Sequence, residues 1–183
     1  MKNVIIIVIA LTCLFSCKNN GNYMFESKKF LKQVVGELSD SSCTFMTHSY
    51  GAFSTPMVTA EQLEKDLAPY FGDNVWTRIK VQRDLSKSFE NDIEVFRNQV
   101  AISEFNNFKK ELKSKDLSFW NELAEKYGCM KGYSIPIFTD NFEYAFVYEY
   151  ALAGPLSGVG SCRIYRQENK KWILIKTFNE WVS

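Results

Sequence analysis

The sequence predicts an α+β domain in which N-terminal helices pack on a C-terminal curved antiparallel β-meander. Three observations predict it. Apolar residues recur at helical spacing in several segments before residue 128. From Tyr133 to Ser183 the chain is a series of β-rich segments separated by turn residues. Hydrophobic residues make up 46% and aromatic residues 15% of the 183 positions, enough for a packed core. Helices first and strands after is the order of a segregated α+β domain, with helices on one face of the sheet. Element order alone suggests a cone-shaped nuclear-transport-factor-like or a cystatin-like topology as specific forms.

The chain begins with Met1-Lys2-Asn3, continues through the apolar run Val4 to Leu14, and reaches Ser16-Cys17. This is the layout of a secretory signal peptide. As a helix, Val4 to Ser16 would be about 20 Å long against roughly 30 Å of hydrocarbon, too short to remain as a membrane span. Leu14-Phe15-Ser16-Cys17 resembles the lipobox of bacterial lipoproteins, in which the Cys becomes the acylated first residue of the mature chain. The rival Cys13 follows Thr12 and lies inside the apolar run. The resemblance implies that residues 1–16 are removed and that Cys17 is lipidated and palmitate-bearing. With Lys18 and not Asp next, it also implies residence in the outer membrane facing the periplasm, with the cell surface as the alternative. The polar stretch that follows is expected to make residues 17–25 a tether and 26–183 the folded domain.

Ser27 to Leu38 carries Phe30, Leu31, Val34, Val35 and Leu38 on one helical face and Lys28, Lys29, Lys32 and Glu37 on the other. Cys43 to Phe53 reads as an irregular strand. Thr59 and Gln62 form a capping-box pattern before the stripe Leu63, Leu67, Tyr70 and Phe71, with Gly72 as the stop and Pro69 expected to shorten or kink the helix. Val75 to Gln82 fits helix or strand. Ile93, Val95, Val100 and Ile102 alternate as in a strand, and Glu104 to Lys115 and Asp116 to Tyr127 read as helices, the second ended by Gly128.

In the C-terminal part the strands are Ser134 to Phe138, made an edge strand by Pro136, then Tyr144 to Tyr150, Ser161 to Gln167 and Trp172 to Trp181. Ala151 to Gly160 reads as a long hairpin loop with glycines at positive φ. If that loop is symmetric about Leu156 and the last hairpin turns at Asn169-Lys170, one face carries Phe146, Tyr148, Tyr150, Cys162, Ile164, Ile173 and Ile175. The other carries Ala145, Val147, Glu149, Arg163, Tyr165, Trp172, Leu174 and Lys176, with Glu149 directly across from Arg163 and Lys176 on its far side. A slip of one residue would exchange the faces. The second face is either a half-solvated sheet surface with a cross-strand ion pair or a shallow ligand pocket made by Glu149, Arg163, Tyr165, Trp172 and Lys176.

Removing residues 1–16 takes one Lys from the 22 basic residues and none of the 21 acidic ones, so the mature chain is charge-balanced. A nucleic-acid partner is not expected, because phosphate binding shows as a basic excess. Besides Cys17, the mature chain has Cys43, Cys129 and Cys162, an odd number whose pairing spacing does not choose. Three scattered Cys and the lone His48 lack the close ligand pairs of a zinc site, and no metal or cofactor is expected. His48 lies among Thr47, Ser49 and Tyr50 without a recognisable catalytic motif, which leaves a small hydrolase centred on His48 as the alternative to a non-enzyme. The last third of the chain resembles uncharacterised small lipoproteins of the Bacteroidota. Ser134 to Phe138, the strand ending in Tyr148 and Tyr150, Gly158-Val159-Gly160, Trp172 and Trp181-Val182-Ser183 carry that resemblance, and it implies no activity. The expectation is a lipid-anchored envelope protein that binds a protein or small-molecule partner, with a structural or inhibitor-like lipoprotein as a further alternative.

Overall fold

The computed structural model describes residues 22–36, 43–50, 59–96, 98–114, 119–154 and 157–183. The leader, the lipobox and the first part of the tether lie outside these residues, as do the expected strand beyond Tyr50, the expected helix start at Asp116 and the loop centre Leu156. The class is α+β, with helices concentrated in the first two-thirds and strands in the last third.

The first helix, α1 (residues 22–35), starts before the expected boundary at Ser27. Tyr23 explains the early start: its ring is buried and its hydroxyl donates to the Pro136 carbonyl at 2.7 Å, so the supposed end of the tether is already core. Strand β1 (Thr44–His48) follows, then α2 (Ala60–Phe71) and α3 (Val75–Lys87). The Thr59 hydroxyl accepts from the Gln62 amide at 3.1 Å, and Gly72 ends α2 at φ 70°. Pro69 is carried inside α2, which runs on to Phe71, so the expected shortening does not occur.

The stretch read as one alternating strand is divided: a 3-10 turn at Glu90–Asp92, a short β2 (Gln99–Val100), and Ile102 already opening α4 (Ile102–Ser114). The Gln99 side chain explains the irregular middle. Its oxygen accepts from the amides of Val95 at 2.9 Å and Phe96 at 3.3 Å, and its nitrogen donates to Thr47 Oγ1 at 2.9 Å and to the Ile93 carbonyl. These bonds replace a ladder. Then come α5 (Phe119–Tyr127), β3 (Met130–Ser134), β4 (Ile137–Phe138), β5 (Tyr144–Gly154), β6 (Ser157–Glu168) and β7 (Lys171–Val182).

The strands form one sheet of order β2-β1-β3-β5-β6-β7, with β4 pairing β5 in line with β3 beyond the Pro136 break. The ladder from β3 to β7 is antiparallel, as expected for the meander; β1 adds a parallel pairing with both β2 and β3. Parallel strands tend to be covered on both faces, and β1 is. Met46 belongs to a core under α2 to α5, Phe45 to a second core under α1 and the 89–96 segment. Helices therefore cover both faces, not one. The second face was expected to be half-solvated; α1 buries part of it, placing Phe30 edge-on to Tyr165 and Trp172 at centroid distances of 5.2 and 5.1 Å. Every core-face residue assigned on β5 and β6 is buried, whereas Ile173 and Ile175 on the edge strand β7 are exposed.

Two glycines in the strands serve close packing. Gly132 lies under the Tyr150 ring, where a Cβ would sit 2.0 Å from Cζ, and Gly160 lies under the Trp181 indole, where it would sit 2.3 Å from Nε1. Neither Gly158 nor Gly160 has positive φ; the expected loop is largely strand, and β5 and β6 continue to Gly154 and from Ser157. Replacing Gly132 with Ala should force Tyr150 out of its packed position and cost about 1–3 kcal/mol, as overpacked cores do. Urea unfolding checks this, with an unchanged midpoint as the contrary result.

Candidate functional site: a charged cleft on the sheet

β5 and β6 pair with Val147 opposite Arg163 and Glu149 opposite Ser161, two residues from the expected register. A slip of two preserves the faces. Glu149 and Arg163 therefore share a face but are diagonal neighbours, joined by Arg163 Nη2 to Glu149 Oε1 at 2.6 Å. The Ser161 hydroxyl donates to the same oxygen at 3.4 Å.

The last hairpin turns at Asn169-Lys170 as expected, both at positive φ, as a type I′ connection requires. Its register holds from Glu168↔Lys171 to Tyr165↔Leu174 and then shifts: Ile164 faces Lys176. The extra residue, Ile175, is a β-bulge, and it turns Lys176 to the opposite face. There Lys176 Nζ meets Asp66 Oδ1 of α2 at 3.0 Å. Lys176 is thus removed from the predicted site.

Trp172 leaves it too, buried in the second core against Phe30 and Phe138. Tyr165 is also buried in that core, beside Arg163 at the rim of the site. Of the five predicted residues, Glu149 and Arg163 come together in an open cleft.

That cleft has a volume of about 480 Å³ and spans β3, β5, β6 and β7 beyond the part of the face that α1 covers. Lys131 and Tyr133 come from β3, Glu149 and Ala151 from β5, Val159, Ser161 and Arg163 from β6, and Glu180 and Val182 from β7. Sequence reasoning missed Lys131 and Tyr133 because it began this strand at Ser134. Extending the period-two pattern back to Met130 would have put both on the Glu149 face. A smaller recess of about 240 Å³ adjoins it, sharing Ala151, Val159 and Val182 and adding Leu152 and Ala153. The site thus grades from a charged floor to an apolar shelf.

Burial raises the Glu149 carboxyl above its ordinary range, while Arg163, Ser161 and Lys131 pull it down. Burial outweighs them. The Tyr133 hydroxyl is raised for the same reason and stays protonated, a donor facing the cleft. The Arg163 side chain is half-buried and carries five N–H donors, which Glu149 and Tyr165 engage only in part, so the guanidinium keeps donor capacity toward the cleft. The arrangement can hold a ligand by paired hydrogen bonds and apolar contact.

His48 is fully buried, with Nδ1 3.0 Å from the Ser49 carbonyl and its ring 5.7 Å from that of Tyr150. The neighbouring Ser49 turns away and donates to Glu90. This places the imidazole in the core with no opening to a substrate in the geometry described. Among the described residues no group of three or more His, Cys, Asp or Glu is placed to hold a metal ion, and no helix is long and apolar enough to cross a membrane.

Cys43 and Cys129 are joined in a disulfide, and Cys162 is buried as a free thiol pushed up to about 12 by burial. The pairing left open by spacing is therefore decided by the parallel contact of β1 with β3. No family model, no curated protein and no solved structure matches the chain.

Proposed function

We propose that this protein is a lipid-anchored envelope lipoprotein that works as a binding module, taking a small molecule or a segment of a partner protein into the Glu149–Arg163 cleft. The cleft carries this reading: it combines a half-buried ion pair, the guanidinium donors of Arg163 and an apolar shelf in one concave surface. The lipobox-like Leu14 to Cys17 supports the anchoring, and a disulfide suits an oxidising compartment.

The test places a photo-reactive amino acid at Lys131 or Val182 in cells, with Lys87 on the exposed end of α3 as the control. A discrete adduct from the cleft positions and none from Lys87 is the expected result; no adduct, or the same adducts at all three, rejects the binding reading. Anchoring is scored apart from it, by fatty-acid labelling that Cys17→Ala should abolish.

A further inference from the structure

The outward side of α1 has a composition that its packing does not explain. Tyr23, Ser27, Phe30, Leu31 and Val35 face the sheet and are buried. On the opposite side, at spacings of three, four and seven, are Phe25, Lys28, Lys29 and Lys32. Phe25 is 62% exposed although it lies in a well-packed helix. Glu26 is the one acidic residue of α1, and it pairs with Lys29 at 3.4 Å, so the face keeps a net positive charge.

We infer that this face of α1 is a docking surface for an anionic lipid bilayer. Three observations favour that occupant. The charge is complementary to anionic head groups, and a Lys stripe with one projecting aromatic ring is the composition of a helix lying in a membrane interface. The length of chain outside the described helix agrees: five residue steps separate Cys17 from Asn22, and they reach no further than about 18 Å. An acyl group on Cys17 would therefore hold α1 within a helix diameter or two of the lipid surface. One acyl signal plus a basic patch is a combination that holds proteins on membranes.

The orientation has a consequence for the cleft. α1 packs on the same face of the sheet that carries Glu149 and Arg163. With α1 against lipid, the cleft opens toward the bilayer, and its ligand is one presented at the membrane surface. This part rests on the binding reading above; the docking of α1 does not.

The experiment uses the chain from residue 17 onward, which retains every described residue, with Cys17→Ser so that no acyl group contributes. Partitioning is measured by sedimentation with vesicles of phosphatidylglycerol and phosphatidylcholine at 1:3 and with phosphatidylcholine alone. Binding should favour the anionic vesicles by roughly tenfold or more and fall with added salt. Changing Lys28, Lys29 and Lys32 together to Gln should remove that preference, and Phe25→Ser should weaken binding several-fold. Phe25→Trp should retain binding, with emission that shifts to the blue on adding anionic vesicles. Equal partitioning of the parent and the triple variant overturns the inference, as does equal binding to both vesicle types. Phe25, Lys29 and Lys32 are exposed and Lys28 is half-buried, and circular dichroism verifies that the variants fold. Because the acyl group is absent, failure here is distinguishable from failure of Cys17 labelling or of cleft cross-linking.

Discussion

Reduction of the Cys43–Cys129 disulfide should lower the stability of this domain more than any other single change considered. The bond closes a loop across a sequence separation of 86, and loop-closure entropy at that length is worth about 4.5 kcal/mol. For a domain of this size that corresponds to a fall of roughly 10 °C or more in Tm. The position of the bond adds to the expectation. Cys43 and Cys129 immediately precede β1 and β3, where the Thr44 amide donates to the Cys129 carbonyl at 2.9 Å and the Thr44 hydroxyl to the Tyr127 carbonyl at 3.0 Å. Among the described residues β1 pairs only with strands distant in sequence, and the disulfide holds its end at the first rung of the parallel ladder. Thermal melts with and without reductant, and of the Cys43→Ser/Cys129→Ser double variant, measure it. Melts that coincide within a degree would refute the argument.

Acid should destabilise the domain through His48. Burial pushes the imidazole down to about 4 from 6.5, against the smaller upward pull of the Ser49 carbonyl and of Glu90. The folded state thus holds the ring neutral across a range in which the unfolded chain binds a proton. Stability from this group is complete above the unfolded value of 6.5, declines as the pH falls, and is lost by about pH 4. The total is about 3 kcal/mol, accumulated between 6.5 and about 4 at 1.36 kcal/mol per pH unit. Glu149 acts with the opposite sign: its carboxyl is raised by burial, so its contribution is present at low pH and lost as the pH rises through its folded value. Urea unfolding at half-unit steps from pH 4 to 7 should show the slope set by His48, and His48→Asn should flatten it whatever that variant costs in absolute stability. An unchanged slope in the variant would remove His48 as the cause.

The same residue shows where sequence reasoning stopped. Nothing in the residues around His48 signals its depth in the fold. Burial depends on α2 to α5 closing over one face of a sheet whose parallel half has no local signature. By contrast, Thr59-Gln62 and Gly72 defined α2 well, because capping is settled by a few adjacent residues. The Asn169-Lys170 turn was readable for the same reason, and it placed the first four pairs of the last hairpin correctly. Glu149 and Arg163 were assigned to one face because an error of two in register leaves side-chain direction unchanged. Lys176 was misplaced by one inserted residue, Ile175, and Trp172 by α1, whose amphipathic pattern says that it packs without saying on which side. Long-range pairing, bulges and layer choice are non-local, and the missed part of the cleft, Lys131 and Tyr133 above all, comes from them.

The bulge at Ile175 has a further effect, on solubility. β7 is an edge strand, and Ile173, Leu174 and Ile175 are its consecutive exposed apolar residues, at 44%, 43% and 37%. Such a run on a flat edge would be a template for other chains to add strand upon strand. Here the ladder slips within that run and again between Gly160 and Cys162, so an incoming strand finds no long regular row of donors and acceptors to follow. The irregularity that moved Lys176 also guards the most aggregation-prone edge of the molecule.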